Sequence, residues 1–276
     1  MVTIAQCQRL ETAWSAALAT ATGGRTFSTH GNTWVWLPAR RELGLMFPSA
    51  VSAAAVRPAL AEGVRLGAAS VRVWLNGAVD AVELRDLRFE PSWQPWWMAA
   101  PVSAVAGDTG VAQEGDDDGG DAGPARLTDE VPDYTGPLAQ ELRVVRSQPR
   151  QAWHAVSRSA DTGNITGAAY SFYPSGVAGL RGLGGIQHLE VLPDHQRQGL
   201  ATSLVAATAR RAAAAGALDL AVNATPQGYD FFSRRGFTLL GRGKTFSLQL
   251  DGSAGRQAGS GRERQEDRSP CGLRSS

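Results

Sequence analysis

Only two cysteines, Cys7 and Cys271, occur in 276 residues, and they lie near opposite ends. That excludes a disulfide framework and a four-cysteine zinc site, and it fits a reducing compartment. No metal is expected. Apolar stretches stay far short of the roughly 20 residues that span a bilayer, so no membrane partner is expected. The first residues lack a basic stretch leading into an apolar core, so no secretory signal is expected and a cytoplasmic location is the default. An excess of one charge is also missing. The 27 basic and 26 acidic residues leave a net charge of +1, which argues against a general nucleic-acid binder. Lysine is nearly absent: Lys244 is the single one, and arginine supplies the rest.

What is there is apolar enough to fold. Hydrophobic residues make up 43% of the chain and charged residues 19%, the balance of a protein with a sizeable core. At roughly 150 residues per domain, the length suggests two domains. Composition divides the chain into a unit at 1–103, a linker at 104–125, a second unit at 126–250 and a tail at 251–276. Residues 104–124 hold six acids and six glycines without a single basic residue. Such a segment cannot bury enough apolar surface to offset its ordering entropy, so a disordered linker is expected. The Gly-, Ser- and Arg-rich tail is expected to be disordered too.

In the first unit, Ile4, Cys7, Leu10, Trp14 and Leu18 recur at spacings of three and four, which predicts an amphipathic helix. Strands are predicted at Thr33–Leu37, Leu43–Phe47 and Val71–Leu75, with a helix over about Ser52–Leu66 that must accommodate Pro58. In the second unit, Trp153–Arg158 and Ala168–Tyr173 read as neighbouring strands joined by a turn. Ile186–Leu192 reads as a further strand, and Leu200, Leu204, Val205, Thr208 and Ala212 as one face of a helix. Leu218–Val222, a short helix at Tyr229–Arg235, and the strands Phe237–Leu240 and Phe246–Leu250 follow. The order predicts a mixed α/β fold with a parallel pair. An internal repeat runs through both units. Gly67 to Phe89 and Gly216 to Phe237, 22 and 21 residues apart, each read glycine, strand, short helix, then a further strand (Trp93–Met98 and Phe246–Leu250).

The chemistry concentrates in Val191-Leu-Pro-Asp-His-Gln-Arg-Gln-Gly-Leu-Ala-Thr-Ser-Leu204, a strand-to-helix connection. The first amides of a helix lack internal partners and carry the positive end of its dipole. Small residues at Gly199 and Ala201 let an anion approach that backbone, which makes a site suited to a diphosphate. The loop is not a Walker loop, since no Lys-Ser/Thr pair follows, and one glycine is too few for a dinucleotide fingerprint.

This stretch resembles motif A of the GNAT superfamily of N-acetyltransferases, Val-x-Pro-x-x-(Arg/Gln)-x-x-Gly-x-(Gly/Ala). Asn223-Ala-Thr-Pro-Gln-Gly-Tyr-Asp-Phe-Phe-Ser-Arg-Arg-Gly-Phe237 resembles their motif B. The two cover 186–250, and the preceding strands extend the likeness to about 150. The resemblance implies a GNAT fold with splayed parallel strands, preceded by a degenerate GNAT-like half whose loop, Phe47-Pro-Ser-Ala-Val-Ser-Ala, has no glycine. One acetyl-CoA site per chain follows.

The same resemblance implies acetyl-CoA as co-substrate, with its diphosphate on the backbone of Gln196, Arg197, Gln198, Gly199, Leu200, Ala201 and Thr202. Pantetheine would bond edge-wise to Leu189 and Val191, where an amide would also stabilise the developing oxyanion. Asn223 would bond pantetheine or the acceptor. Direct attack by an amine needs a base, and Glu190 and His188, alternate residues on one strand face, are the nearest. His195 reads as surface or diphosphate-adjacent, and His154 as a lining of the acceptor pocket. Where many relatives carry a proton-donating tyrosine, this chain has Phe232, kept as a cofactor-contacting position. Tyr229, one helical turn earlier, is the substitute acid.

The acceptor is expected to be a small-molecule amine. Protein or peptide amines, another acyl group, and a non-catalytic coenzyme A-binding regulatory module stay open. The oligomeric state also stays open, a homodimer being one arrangement. Because 126–150 leaves scant room for two helices, the N-terminal unit is expected to wall the acceptor site. Trp93, Trp96 and Trp97 are suited to that wall or to packing.

Overall fold

Helix α1 (Ile4–Ala21) realises the three-and-four spacing, with Cys7, Leu10, Trp14 and Leu18 all buried. The computed structural model to which it belongs describes residues 1–107, 126–128 and 139–250. Strands β1 (Arg25–Thr29) and β2 (Asn32–Leu37) form a hairpin through His30 and Gly31, both at positive φ. That is the turn hand that matches strand twist. Strand β3 (Glu42–Met46) runs parallel to β4 (Ser70–Asn76) and is joined to it through α2 (Ala53–Arg65). Pro58 lies in the second turn of α2, inside the helix rather than at its start. Then come α3 (Val82–Asp86), β5 (Glu90–Pro91), β6 (Trp96–Pro101) and α4 (Val102–Val105).

The second part of the chain gives β7 (Arg126–Thr128), α5 (Ala139–Ser147), β8 (Ala152–Arg158), β9 (Ile165–Phe172) and β10 (Leu183–Val191). It ends with α6 (Leu200–Ala214), β11 (Asp219–Ala224), α7 (Pro226–Ser233) and β12 (Thr238–Gln249). Among the described residues no helix is long and apolar enough to cross a membrane.

The chain forms two compact units that do not follow its linear halves. Of the described residues, one holds Met1–Trp14 and the stretch from Trp96 to Gly241, and the other holds Ser15–Pro95 and the stretch from Arg242 to Leu250. In the first, the strand order is β6, β11, β10, β9, β8, β7. Strands β10 and β11 are parallel, and every other neighbour in that order is antiparallel. Helix α6 packs on one face through Leu200, Leu204, Val205, Ala209 and Ala212, against Ala155, Ala169, Leu189 and Val191. In the second unit, β1, β2, β3 and β4 are followed by the second part of β12, antiparallel to β4. Its core gathers Trp34, Leu43, Leu45, Val56, Val71, Val73, Leu84 and Phe246.

The repeat expected from sequence is present as β4–α3 and β11–α7, but the strand that follows each copy pairs elsewhere. Strand β6 closes onto β11, and the stretch of β12 from Gly243 closes onto β4. Each copy therefore ends in a strand that completes the sheet containing the other copy's parallel pair.

Other elements shift or merge. The strand expected at Trp93–Met98 begins at Trp96, and the two expected after Phe237 are one strand, β12. The short helix expected at Tyr229 starts at Pro226, where the Thr225 side chain accepts the Gly228 amide at 3.1 Å. In place of two helices, 126–150 gives β7 and α5. The first two residues of the expected linker, Ala104 and Val105, are the end of α4, and Val105 is buried; 108–125 and the tail from 251 lie outside the described residues.

Candidate functional site

Strands β10 and β11 are hydrogen-bonded from Leu183↔Asp219 to Ile186↔Val222 and no further. Both strands continue. Strand β10 runs on to Val191 paired with β9, and β11 runs on to Ala224 paired with β6. A register irregularity at Ile186/His188 coincides with the point of parting, and such bulges bend a strand and re-aim its side chains. The result is a wedge between two parallel strands whose facing edges, from Gln187 and Asn223 onward, are unladdered.

Beyond the wedge, the loop after β10 is built to present backbone amides. The Gln196 side-chain amide donates to the Val191 carbonyl at 3.1 Å, so this residue braces the loop. Arg197 sits at φ 63° and Gly199 at φ 83°. A left-handed conformation at a non-glycine residue is unfavourable by about 1 kcal/mol. Alternation of this kind turns successive N–H groups towards one concave side. A Cβ at Gly199 would meet nothing within 4 Å. Helix α6 starts here without a side-chain cap, and its first intrahelical bond from the N-terminus is Ser203 N–H to Gly199 O, 3.1 Å. The amides of Leu200, Ala201 and Thr202 are therefore presented at the positive end of the helix.

Arg235, unremarked in the sequence, stands beside that helix start. Its guanidinium donates to Thr202 Oγ1 from Nε at 3.0 Å and from a terminal nitrogen, and to Phe231 O at 2.7 Å. Its charged carbon lies 3.6 Å from the Phe231 ring centroid. Burial, with the nearby Arg234 charge, lowers its pKa below the usual arginine value. A partly desolvated cation at a positive helix end is the arrangement an anion neutralises. Its one signal in the sequence is a second consecutive arginine after an aromatic pair.

On the strands, His154, Tyr170 and His188 form one cross-strand row. The rings of His154 and Tyr170 stack at 4.4 Å, and Tyr170 meets His188 at 6.2 Å. His188 Nε2 lies 3.6 Å from Glu190 Oε2, with side-chain exposures of 9% and 51%, so the pair joins a buried imidazole to a carboxylate in water. Leu189 and Val191 point their side chains into the core beneath α6. Asn223 Oδ1 is buried without a hydrogen-bond partner. Tyr229 packs its ring on Trp96 at 5.2 Å. Phe232 has 0% exposure and packs edge-on against Phe231 and Phe237, so its ring serves the core. His195 and Gln198 lie on the loop, His195 half-buried and Gln198 exposed. Among the described residues no cluster of three or more His, Cys, Asp or Glu could hold a metal.

The corresponding place in the N-terminal copy is closed. Strands β3 and β4 stay paired to the end of β3, and Phe47 N–H continues the pairing to Trp74 O at 3.0 Å. Helix α2 caps itself: Ser52 Oγ accepts the Ala55 amide at 3.2 Å, and Glu83 Oε2 accepts the Ala53 amide at 2.5 Å. A carboxylate of the chain thus occupies the anion position that α6 leaves open. Phe47, Trp74 and Trp93 form a chain of ring contacts nearby.

Residues 131–247 match the family model of the acetyltransferase (GNAT) domain. No curated protein matches the sequence. Among solved structures, the chain is similar to a conserved protein of unknown function from Staphylococcus epidermidis, with 12% identity, TM-score 0.54, and coverage of 83% of this chain and 95% of that one. It is also similar to a GCN5-related N-acetyltransferase from Kribbella flavida, with 15% identity, TM-score 0.51, and coverage of 90% and 96%. At these identities the likeness concerns the fold. The wedge, the amide-presenting loop and the domain match agree: residues 131–247 of the chain match the acetyltransferase (GNAT) domain, and the fold around them is that of GNAT proteins.

Proposed function

We propose that the protein is an acetyl-CoA-dependent N-acetyltransferase that modifies the amine of a small molecule by direct attack. The observation that carries this reading is the parting of β10 and β11 after Ile186↔Val222, followed by a loop with two left-handed residues and an uncapped helix start. These residues fit a diphosphate with an extended arm. The amides of Arg197–Thr202 and the Arg235 guanidinium would hold the diphosphate. The unladdered edge of β10 at Leu189 and Val191 would bond the arm, and the orphaned Asn223 Oδ1 would take an amide N–H.

Bound there, acetyl-CoA supplies an acyl thioester with a thiol leaving group. The chain's residues manage the proton. An amine attacks only when neutral, so Glu190, half in water and coupled to His188, takes the ammonium proton. Phe232 has no proton to give, and Tyr229, one helical turn earlier, is the substitute acid. A thiol pKa near 8.5 lets the thiolate depart without an obligatory acid.

The test is thiol release over a panel of small amines and lysine-containing peptides. Turnover with small amines is expected, and Glu190→Gln should lower kcat by about 10²-fold or more. Turnover with peptides alone would assign a protein acceptor. Tight coenzyme A binding without any turnover would assign a regulatory module.

A further inference from the structure

The alternation of β10 breaks once, and the break decides which side chains meet. Ile186 pairs with Ser171 and His188 with Tyr170, so two steps along β10 answer one along β9, and Gln187 is the extra residue. Beyond it Leu189 and Val191 belong to one core with α6, which leaves His188 and Glu190 on the other face, beside Tyr170. Register then opposes His154 of β8, Tyr170 of β9 and His188 of β10 directly, and opposed side chains on one face touch. All three are buried, so no solvent shell orients their rings. Neither ring nitrogen of His188 has a hydrogen-bond partner. Its Nε2 faces Glu190 Oε2 from 3.6 Å, just beyond hydrogen-bond reach. The torsion that turns an imidazole about its Cβ–Cγ bond is broad, so the strand alone does not aim that nitrogen. The neighbouring rings do: Tyr170 stands at 60° to the imidazole, and His154 stacks on Tyr170 from behind at 24°.

From this we infer that Tyr170 and His154 are positioning residues for the proton acceptor: they hold the His188 imidazole so that its Nε2–H donates to Glu190 Oε2, while the other carboxylate oxygen takes the ammonium proton of the incoming amine. The inference rests on the acetyltransferase reading above and deepens it. In this step one N–H bond of the ammonium breaks and one O–H bond forms on Glu190. The nitrogen keeps the electron pair with which it attacks, and His188 keeps its own proton. Hydrogen bonds of this kind are often long in a free enzyme and tighten when substrate is bound. A half-exposed carboxylate without such a brace samples many directions, and a misplacement of about 1 Å is enough to slow a reaction about 10²-fold.

The experiment uses the full chain and the best substrate among butylamine, benzylamine and a lysine-containing peptide. Coenzyme A affinity is followed by calorimetry and folding by the thermal transition. Tyr170→Leu should lower kcat about tenfold, with the amine KM and the coenzyme A Kd within about twofold of wild type. Tyr170→Phe, which keeps the ring, should recover most of that loss. His154→Leu should lower kcat in the same direction, and it carries the test if Tyr170→Leu loses the thermal transition. Because both residues act through Glu190, adding either leucine to Glu190→Gln should lower kcat by no more than about a further twofold. General loosening of the sheet would give additive losses instead. A second readout needs no turnover. The chain has four histidines, so the imidazole nitrogen signals of His188 can be assigned by His188→Gln. They should move in Glu190→Gln and in Tyr170→Leu and stay in place in Tyr170→Phe. Additive losses, an unchanged kcat in the leucine variants, or His188 signals indifferent to Glu190→Gln would overturn the positioning role alone. Absence of coenzyme A binding in the wild type, or binding with no substrate acetylated, would instead overturn the acetyltransferase reading on which it depends.

Discussion

Single residues decide whether the α6 terminus can hold an anion. Arg235 places a partly desolvated guanidinium on Thr202, in the first turn, and has Phe231 beneath it. Arg235→Ala should weaken coenzyme A binding by about tenfold or more, the worth of one charge-assisted hydrogen bond. Arg235→Lys should recover only part, because an ammonium cannot reproduce the fork. Equal affinity in all three proteins, by calorimetry, would remove Arg235 from the site. At the other side of the wedge, burial pushes the Cys7 thiol up to about 12. The unfolded thiol ionises near 9 and the folded one does not, so the native state binds the extra proton between those values. Stability from this group is therefore intact below pH 9 and is lost as pH rises towards 12, by about 1.4 kcal/mol per pH unit. Cys7→Ala should show a shallower alkaline decline in urea unfolding than wild type. Identical slopes would contradict the buried thiol.

At the scale of elements, what was legible follows locality. The helix at Leu200–Ala214 and the loop before it are dictated by neighbours in sequence: apolar spacing, a glycine that reaches φ 83°, and a strand ending at a proline. Residues with nearby partners, such as Gln196 and Thr225, follow from the same logic. The hairpin turn at His30-Gly31 carries a weaker signal than Asn-Gly, and β1 passes unread in a stretch of polar and charged residues. The partners of β6 and β12 are beyond reading along the chain. A strand's side chains specify a face and a depth, and they do not name which distant edge completes the ladder. The closed N-terminal copy was half legible. A loop without glycine predicts decay; that Glu83 supplies the anion from thirty residues away emerges only in three dimensions.

For the whole molecule, the grouping of Met1–Trp14 with Trp96–Gly241 means that the matched domain is not complete by itself. A fragment of 126–250 lacks β6, so β11 would expose an unpaired edge, and it lacks α1, so Gly185 would face water. Such an edge is prone to aggregate. The fragment is expected to lose the cooperative urea transition of the full chain or to precipitate. A soluble fragment with the full chain's transition midpoint would contradict this exchange of strands.

The most direct measurement is calorimetric titration of coenzyme A into the full chain and into its Gly199→Glu variant, whose added carboxylate would meet the anion at the α6 start. One molecule should bind per wild-type chain, because Glu83 already fills the corresponding place in the other copy, and binding should vanish in the variant while the thermal transition is retained. Two bound molecules per chain, no binding to the wild type, or unchanged affinity in Gly199→Glu would contradict the assignment of the cofactor to the wedge and its helix.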